Sequence, residues 1–511
     1  MGTAATDLPG VTGKRESAPL RFVTAASLFD GHDAAINIMR RLIQAQGAEV
    51  IHLGHNRSVD DIVRAAIQED ADGIAISSYQ GGHIEFFKYV IDRLEELGAS
   101  HIKVFGGGGG TITPDEIKTL MDYGVERIYH PHDGMELGLE AMIADLIERT
   151  VTARQAVRAE STGQISVDIA ATISAIEERL FDEAELSRLR KEWRMQAGQV
   201  PVIGITGTGG AGKSSVTDEI LNRFLTCFPD IRIAVLAVDP TRRRTGGALL
   251  GDRIRMNTLR SERIYMRSIA TRRQHLATSE MLGDHILFLK SKGFDLVIVE
   301  TAGIGQSDSE IVDMVDFSVY VMTSEYGAAS QLEKIDMLDF ADLIVLNKYD
   351  KRGAEDALRD VRKQWKRNHV AFSVADEDVP VYPTIASQFN DPGVSWMFSE
   401  LCRRVIEKAE LDAAAWTPSI DTSNRESRST AMIPGARIRY LAEIAEQGRS
   451  INSRADSQAE TASRAQHIYE SLRLLEDREL PAELALYKSE ALLQGDDRSL
   501  LTLRQRYQEA I

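Results

Sequence analysis

The stretch VIGITGTGGAGKSS, residues 202–215, decides the fold of the larger part of this 511-residue chain. An apolar run leads into Gly207-Thr208-Gly209-Gly210-Ala211-Gly212-Lys213-Ser214, which fits GxxxxGK[ST] at every fixed position, and a helical pattern opens through Ser215. In that context the glycines let backbone N–H groups turn inward on phosphate oxygens, and the helix N-terminus adds a favourable dipole. Lys213 is placed to reach the β- and γ-phosphates, and the Ser214 hydroxyl to bind Mg²⁺.

Further strands are predicted at 233–238, 296–300, 317–322 and 343–347. The third of the five ends in Glu300, followed by Thr301-Ala302-Gly303. A carboxylate there can hold Mg²⁺ or its water, with Thr301 beside it, while the Gly303 N–H senses the γ-phosphate. Lys213 and Glu300 are therefore the expected catalytic pair. Asn347-Lys348-Tyr349-Asp350 fits NKxD. The Asp350 carboxylate can accept hydrogens from guanine N1 and its exocyclic amine, a donor pair adenine lacks, so the motif selects GTP. Asn347 braces the loop and the Lys348 stem lies along the base. Asp239 in VDPT and Asp252 in GALLGDRIRM are further Mg²⁺ candidates, and Arg255 can neutralise phosphate charge, with loop salt bridges as the competing reading. Gln306 is near, but no glutamine follows Gly303 directly, so slow intrinsic hydrolysis is expected until a partner orders the site. Three motifs in this order predict a P-loop GTPase domain over residues 200–416.

Towards the N-terminus, strand patterns at 22–28, 49–54, 73–79, 102–107 and 127–130 alternate with helical periodicity. Val59, Ile62, Val63, Ala66 and Ile67 mark one helix, with Ser58 and Asp61 as a capping pair. Right-handed crossovers then give a flavodoxin-like, doubly wound α/β domain over residues 21–150. Asp30-Gly31-His32 follows the first strand, at the carboxyl edge where such sheets bind ligands. Asp30 can fix the His32 tautomer and strengthen it as a metal ligand. Ser77, Ser78 and Tyr79 close the third strand, and Gly106 to Gly110 close the fourth. Glycines there remove side chains where a large flat or tailed ligand approaches the backbone.

Composition narrows the setting. Sixty Lys and Arg against 77 Asp and Glu leave a net charge of −17, which excludes a nucleic-acid face. Cys227 and Cys402 alone give no disulfide framework, so a cytoplasmic protein is expected. No apolar run approaches the roughly 18 residues needed to cross a membrane. Residues 1–20 read as a flexible arm, 151–199 as a helical connector and 417–511 as a linker and helical tail.

Residues 22–150 resemble the cobalamin-binding domain of adenosylcobalamin-dependent mutases, marked by D-x-H-x-x-G, a serine after strand three and a GG pair after strand four. Ala35 stands where that motif has glycine. The resemblance implies that His32 ligates cobalt from the lower face in place of dimethylbenzimidazole. The displaced tail would thread between Ser77 (or Ser78) and Gly106, Gly107 and Gly108, beside Asp30 and Tyr79. Residues 200–416 resemble the G-protein chaperones of these mutases through GITGTGGAGKSS, VDPT, GALLGDRIRM and ETAGIGQSD. With PGARIRYLAEIAEQGR at 434–449, the order of parts resembles acyl-CoA mutases fused to their own chaperone. That resemblance implies adenosylcobalamin and Mg²⁺ as cofactors and GTP as substrate, with GTP hydrolysis gating cofactor loading. In the full assembly it implies radical rearrangement of isobutyryl-CoA to n-butyryl-CoA. The partners implied are an acyl-CoA-binding barrel, a second copy in a homodimer and an adenosyltransferase as donor. Such a barrel takes about 250 residues, and the 96 residues after Ala415 are expected to be polar helices instead. Two alternatives stay open: a stand-alone GTP-dependent delivery chaperone for a separate mutase subunit, and a flavodoxin-like sensor without cobalamin.

Overall fold

Continuous apolar strands pair in parallel and bury both faces under helices, and the chain forms two such sheets. A computed structural model describes residues 18–154, 164–239, 247–271, 275–301, 311–326, 329–425, 427, 440–493, 495 and 497–511. Most of the expected arm and half of the expected linker lie outside the described residues. Two compact units result, Met1–Ser429 and Thr430–Ile511.

The first sheet contains β1 (Arg21–Ser27), β2 (Glu49–Arg57), β3 (Gly73–Ser77), β4 (Lys103–Gly107) and β5 (Arg127–Tyr129). Alternation along the strands sorts its two cores. Val23, Ile51 and Ile74 face the Val59–Gln68 helix through Ile62, Val63 and Ala66. Phe22, Val50 and Phe105 face the other way, against Ile43, Ile143 and Leu146. Ser58 caps the Val59–Gln68 helix, its Oγ accepting the Asp61 N–H at 3.2 Å.

The second sheet contains β6 (Val202–Gly207), β7 (Ile233–Asp239), β9 (Ile264–Ala270), β10 (Leu296–Thr301), β11 (Phe317–Met322), β12 (Leu343–Leu346) and β13 (Val381–Pro383), in the order β13-β12-β11-β6-β10-β7-β9. The P-loop strand β6 is thus central, flanked by β10 and β11.

A sixth strand of the first sheet, β8 (Ala248–Leu250), belongs in sequence to the P-loop half. It pairs in parallel with β2, Ala248 opposite Glu49 and Leu250 opposite Ile51, and both residues enter the first sheet's core. Sequence reading had GALLGDRIRM only as a nucleotide-site loop; three residues are too few for periodicity to reveal a strand. Gly247 is required by contact: a Cβ would lie 2.4 Å from the Gln44 carbonyl oxygen and 2.7 Å from that of Ala48.

The connector contains two helices. The charged run Ile176 to Met195 is split between two helices, Ile165–Glu177 and Glu183–Gln196. Arg179 turns with φ 54°, and Asp182 starts the second helix by accepting the Glu185 N–H at 2.8 Å.

Between the sheets lies a buried ionic network. Arg21 on β1 donates to Glu49 on β2 at 2.7 Å and to Glu177 of the connector at 3.0 Å. Glu69 takes Arg253 Nε at 2.7 Å and the Ser268 N–H at 3.0 Å. Arg267 on β9 donates to Glu177 at 3.2 Å. Burial works against the Arg21 charge, and Glu177, Glu49 and Glu69 more than offset it, holding its pKa above the ordinary guanidinium value.

His285 is fully buried beside this network. Burial pushes its pKa down to about 4 from 6.5, Glu177 and Asp284 opposing and Arg267 assisting the shift. The folded chain therefore refuses a proton that the unfolded chain accepts between those values. Its stability contribution is complete above pH 6.5 and drains as pH falls towards 4. We expect His285→Leu to flatten the acid limb of a stability–pH curve, removing about 3 kcal/mol of its fall across that window. An unchanged limb in urea titrations at stepped pH would contradict this.

The second unit packs Leu472 of helix Tyr440–Leu474 with Tyr487, Ala491 and Tyr507. Asp477 accepts from Arg504 Nε and from the Tyr487 hydroxyl, both at 2.8 Å. Ala465 is buried and Ile468 packs on that core, while Leu475, just past the helix, is exposed. Among the described residues no helix is long and apolar enough to cross a membrane.

Candidate functional site

Two groups of functional side chains sit at carboxyl edges, one on each sheet. In the second sheet, β6 turns through Thr208–Ala211 into the Lys213–Cys227 helix. Gly212 makes that turn at φ 90°, and a Cβ there would strike Asn347 Nδ2 at 2.6 Å. Gly209 and Gly210 are exposed at the loop tip, and Ser215 is half-buried on the first turn. Lys213 Nζ donates to the carbonyls of Gly207 at 2.9 Å and Thr208 at 3.3 Å, so the ammonium sits inside the loop.

Ser214 Oγ donates to Glu300 Oε1 at 2.9 Å, and both side chains are buried. Next to Glu300, the Thr301 hydroxyl is buried with no hydrogen-bond partner. Asp239 ends the neighbouring strand β7, one residue beyond Val238, the partner of Thr301. Carboxylates and hydroxyls at the adjoining ends of β10, β7 and the P-loop helix are oxygen donors of the kind a hard cation takes. The Asp252 side chain and all of Gly303 and Gln306 lie outside the described residues. Arg255 is exposed in the turn after β8.

Asn347, at the end of β12, joins two loops. Its Nδ2 donates to the Ala211 carbonyl at 2.8 Å, and its Oδ1 accepts from Thr384 Oγ1 at 3.2 Å and the Ala386 N–H at 3.1 Å. Sequence reading missed Thr384 and Ala386; the short strand β13 before them was the available signal. Lys348, with φ 58°, and Asp350 stand exposed beyond Asn347.

On the first sheet, Asp30 is buried and organises the rim. Its Oδ1 accepts the His32 backbone N–H at 2.8 Å and lies 2.9 Å from Nδ1. Its Oδ2 accepts the Tyr79 N–H at 2.6 Å. A carboxylate beside Nδ1 makes that nitrogen the donor and leaves Nε2 with its lone pair, the form a metal takes. The His32 side chain is 75% exposed, 5.4 Å from the Tyr79 ring between centroids.

Beside the rim a cavity of about 340 Å³ runs between the sheet and the helices after β1 and β5. Ala35, Ser77, Tyr79, Gly106, Gly107 and Gly108 line it. The Ser77 hydroxyl is buried with no hydrogen-bond partner. Ser78, the other candidate, is engaged: its Oγ accepts from Ser27 at 2.9 Å and its N–H donates to the Gly107 carbonyl at 2.8 Å. The cavity can take an elongated group with one hydrogen-bonding function at Ser77, which fits a cobalamin tail.

The sheet order, P-loop and NKxD loop define a P-loop GTPase, joined in one chain to a doubly wound ligand-binding domain. The chain belongs to the family of the methylmalonyl-CoA mutase-associated GTPase MeaB, which matches residues 169–474. The B12 binding domain family matches residues 20–128. The fused isobutyryl-CoA mutase of Geobacillus kaustophilus is 53% identical over 470 residues, covering 90% of this chain and 43% of that protein. That of Cupriavidus metallidurans is 50% identical over 472 residues, covering 91% and 43%. The chain thus spans less than half the length of these curated relatives. It carries the cobalamin-binding and GTPase portion of such a mutase.

Proposed function

We propose that this chain holds adenosylcobalamin with its own base displaced, hydrolyses GTP, and uses the nucleotide state to gate cofactor loading. His32 Nε2 is the cobalt ligand, oriented by Asp30, and the displaced tail enters the cavity beside Tyr79, with Ser77 as its hydrogen-bond partner and Gly106–Gly108 as its wall. When bound, the cofactor supplies a homolysable cobalt–carbon bond, the radical source for rearranging isobutyryl-CoA to n-butyryl-CoA in an assembly with a substrate barrel. Likeness to the fused mutases supports that reaction; a homodimer and an adenosyltransferase as cofactor donor are proposed beside it. Two free cysteines suit a cytoplasmic setting.

At the nucleotide site, Gly207–Gly212 cradle the phosphates, Lys213 and Arg255 neutralise their charge, and the Gly303 N–H is assigned to sensing the γ-phosphate. Ser214 and Thr301, with Glu300, Asp239 and Asp252, hold Mg²⁺ directly or through water. Asn347, Lys348 and Asp350 read guanine. Asp350→Asn is expected to shift preference from GTP to xanthosine triphosphate by about a hundredfold or more, because the new amide donates where guanine also donates. Competition kinetics with the two nucleotides checks this, and unchanged GTP preference would refute the assignment.

The observation that carries the gating is β8. Eight residues separate Asp239 from this strand of the cobalamin-binding sheet. After β8, the Asn257 and Thr258 N–H groups are held by Asp218 of the P-loop helix, each at 3.0 Å. A shift in the nucleotide loops is thereby applied to β2. The test is a spectral titration with adenosylcobalamin: the parent is expected to show the base-displaced, histidine-ligated form, and His32→Ala to lose it while GTP turnover is kept. An unchanged spectrum in His32→Ala would remove the reading.

A further inference from the structure

Phe29 is three residues before the proposed cobalt ligand and is 84% exposed. Its backbone has φ 64°, a region where a bulky side chain is a genuine outlier. Its N–H donates to Asn56 Oδ1 at 2.8 Å, and Asn56 itself has φ 55°, which asparagine tolerates better than most residues. Two left-handed residues, one at the end of β1 and one at the end of β2, are thus locked together to hold an aromatic ring in solvent. The exposed ring adds little burial to the core, and strain of this kind marks functional sites.

The next residue, Asp30, fixes His32 and Tyr79, so the Phe29 backbone is continuous with the ligand loop. An imidazole offering Nε2 outwards holds a macrocycle over the residues that flank it. Gly31 and Gly81 leave open space on the same rim. We propose that Phe29 is a cobalamin-binding residue that packs against the corrin, and that Asn56 is a positioning residue that fixes the Phe29 and His32 loop for it. This rests on the cobalamin site proposed above.

The experiment is titration of the full chain with adenosylcobalamin, followed by absorbance, for Phe29→Ala, Phe29→Leu, Asn56→Gly and His32→Ala. Electron paramagnetic resonance of bound cob(II)alamin reports the nitrogen ligand. Phe29→Ala should weaken binding about tenfold or more, as expected for leaving one aromatic contact unmade, and Phe29→Leu should recover most of it. Asn56→Gly keeps the backbone conformation and loses only the acceptor, so it should weaken binding by a smaller factor, about threefold. All three should keep the histidine-ligated signature at saturation and the parent melting temperature. Phe29→Ala binding within twofold of the parent, while His32→Ala loses its signature, overturns this inference alone. If His32→Ala keeps the signature, the cobalamin site itself fails and the inference falls with it.

Discussion

Lys213→Ala is expected to lower GTP turnover by about a thousandfold or more and to leave cobalamin affinity within about twofold. In the structure Lys213 Nζ is held by the Gly207 and Thr208 carbonyls, inside the loop proposed to receive the phosphates. Phosphoryl transfer asks the protein for positioning and charge stabilisation rather than covalent chemistry, so deleting the loop's own cation removes a large share of what catalysis uses. The fold should survive, because Ala suits the first turn of the Lys213–Cys227 helix and Lys213 is only half-buried. Cobalamin binding should be spared, because the His32 rim is on the other sheet. Phosphate release under single turnover, beside a cobalamin titration of the same sample, checks both halves. Turnover within tenfold of the parent would end the assignment of Lys213.

What the sequence discloses and what it conceals follow from the physics of each element. The ten anticipated strands are apolar runs bounded by glycine or acid, and the bounds of each lie within three residues of those expected. β9 was missed because Arg267 and Ser268 interrupt its apolar run; both are buried, but their partners come from the connector and from Glu69. Such polar residues look like surface until a distant carboxylate is known to face them. β8 was missed for brevity, and its partner β2 lies some two hundred residues earlier. The site divides in the same way. Asp30 and His32 are two residues apart, so their hydrogen bond is readable from spacing. Ser77 and Ser78 are not separable by spacing; the choice depends on which hydroxyl Ser27 engages.

Glu69→Ala should cost about 3–5 kcal/mol of stability and, with it, the dependence of cobalamin affinity on GTP. Glu69 is fully buried at the end of the Val59–Gln68 helix, and it takes Arg253 Nε at 2.7 Å together with the Ser268 N–H and hydroxyl. Arg21 Nη1 lies 3.5 Å from its other oxygen. Arg21 would keep Glu49 and Glu177 after the substitution. Arg253 would be left facing neutral oxygens of Gln68 and Met266, a buried cation with its carboxylate gone. That imbalance, rather than the value of the pair itself, sets the size of the loss. Arg253 is three residues beyond β8, so its release loosens the strand through which the nucleotide site reaches the cobalamin-binding sheet. A double variant, Glu69→Gln with Arg253→Met, removes both charges and should regain most of the stability. Urea unfolding measures the first effect, and cobalamin titrations with and without a non-hydrolysable GTP analogue measure the second. A single variant within 1 kcal/mol of the parent (about one thermal factor of five) would show that the pair does not hold the sheets together. Retained GTP dependence in a destabilised Glu69→Ala protein would show that β8 needs no anchor at Arg253 to transmit the nucleotide state.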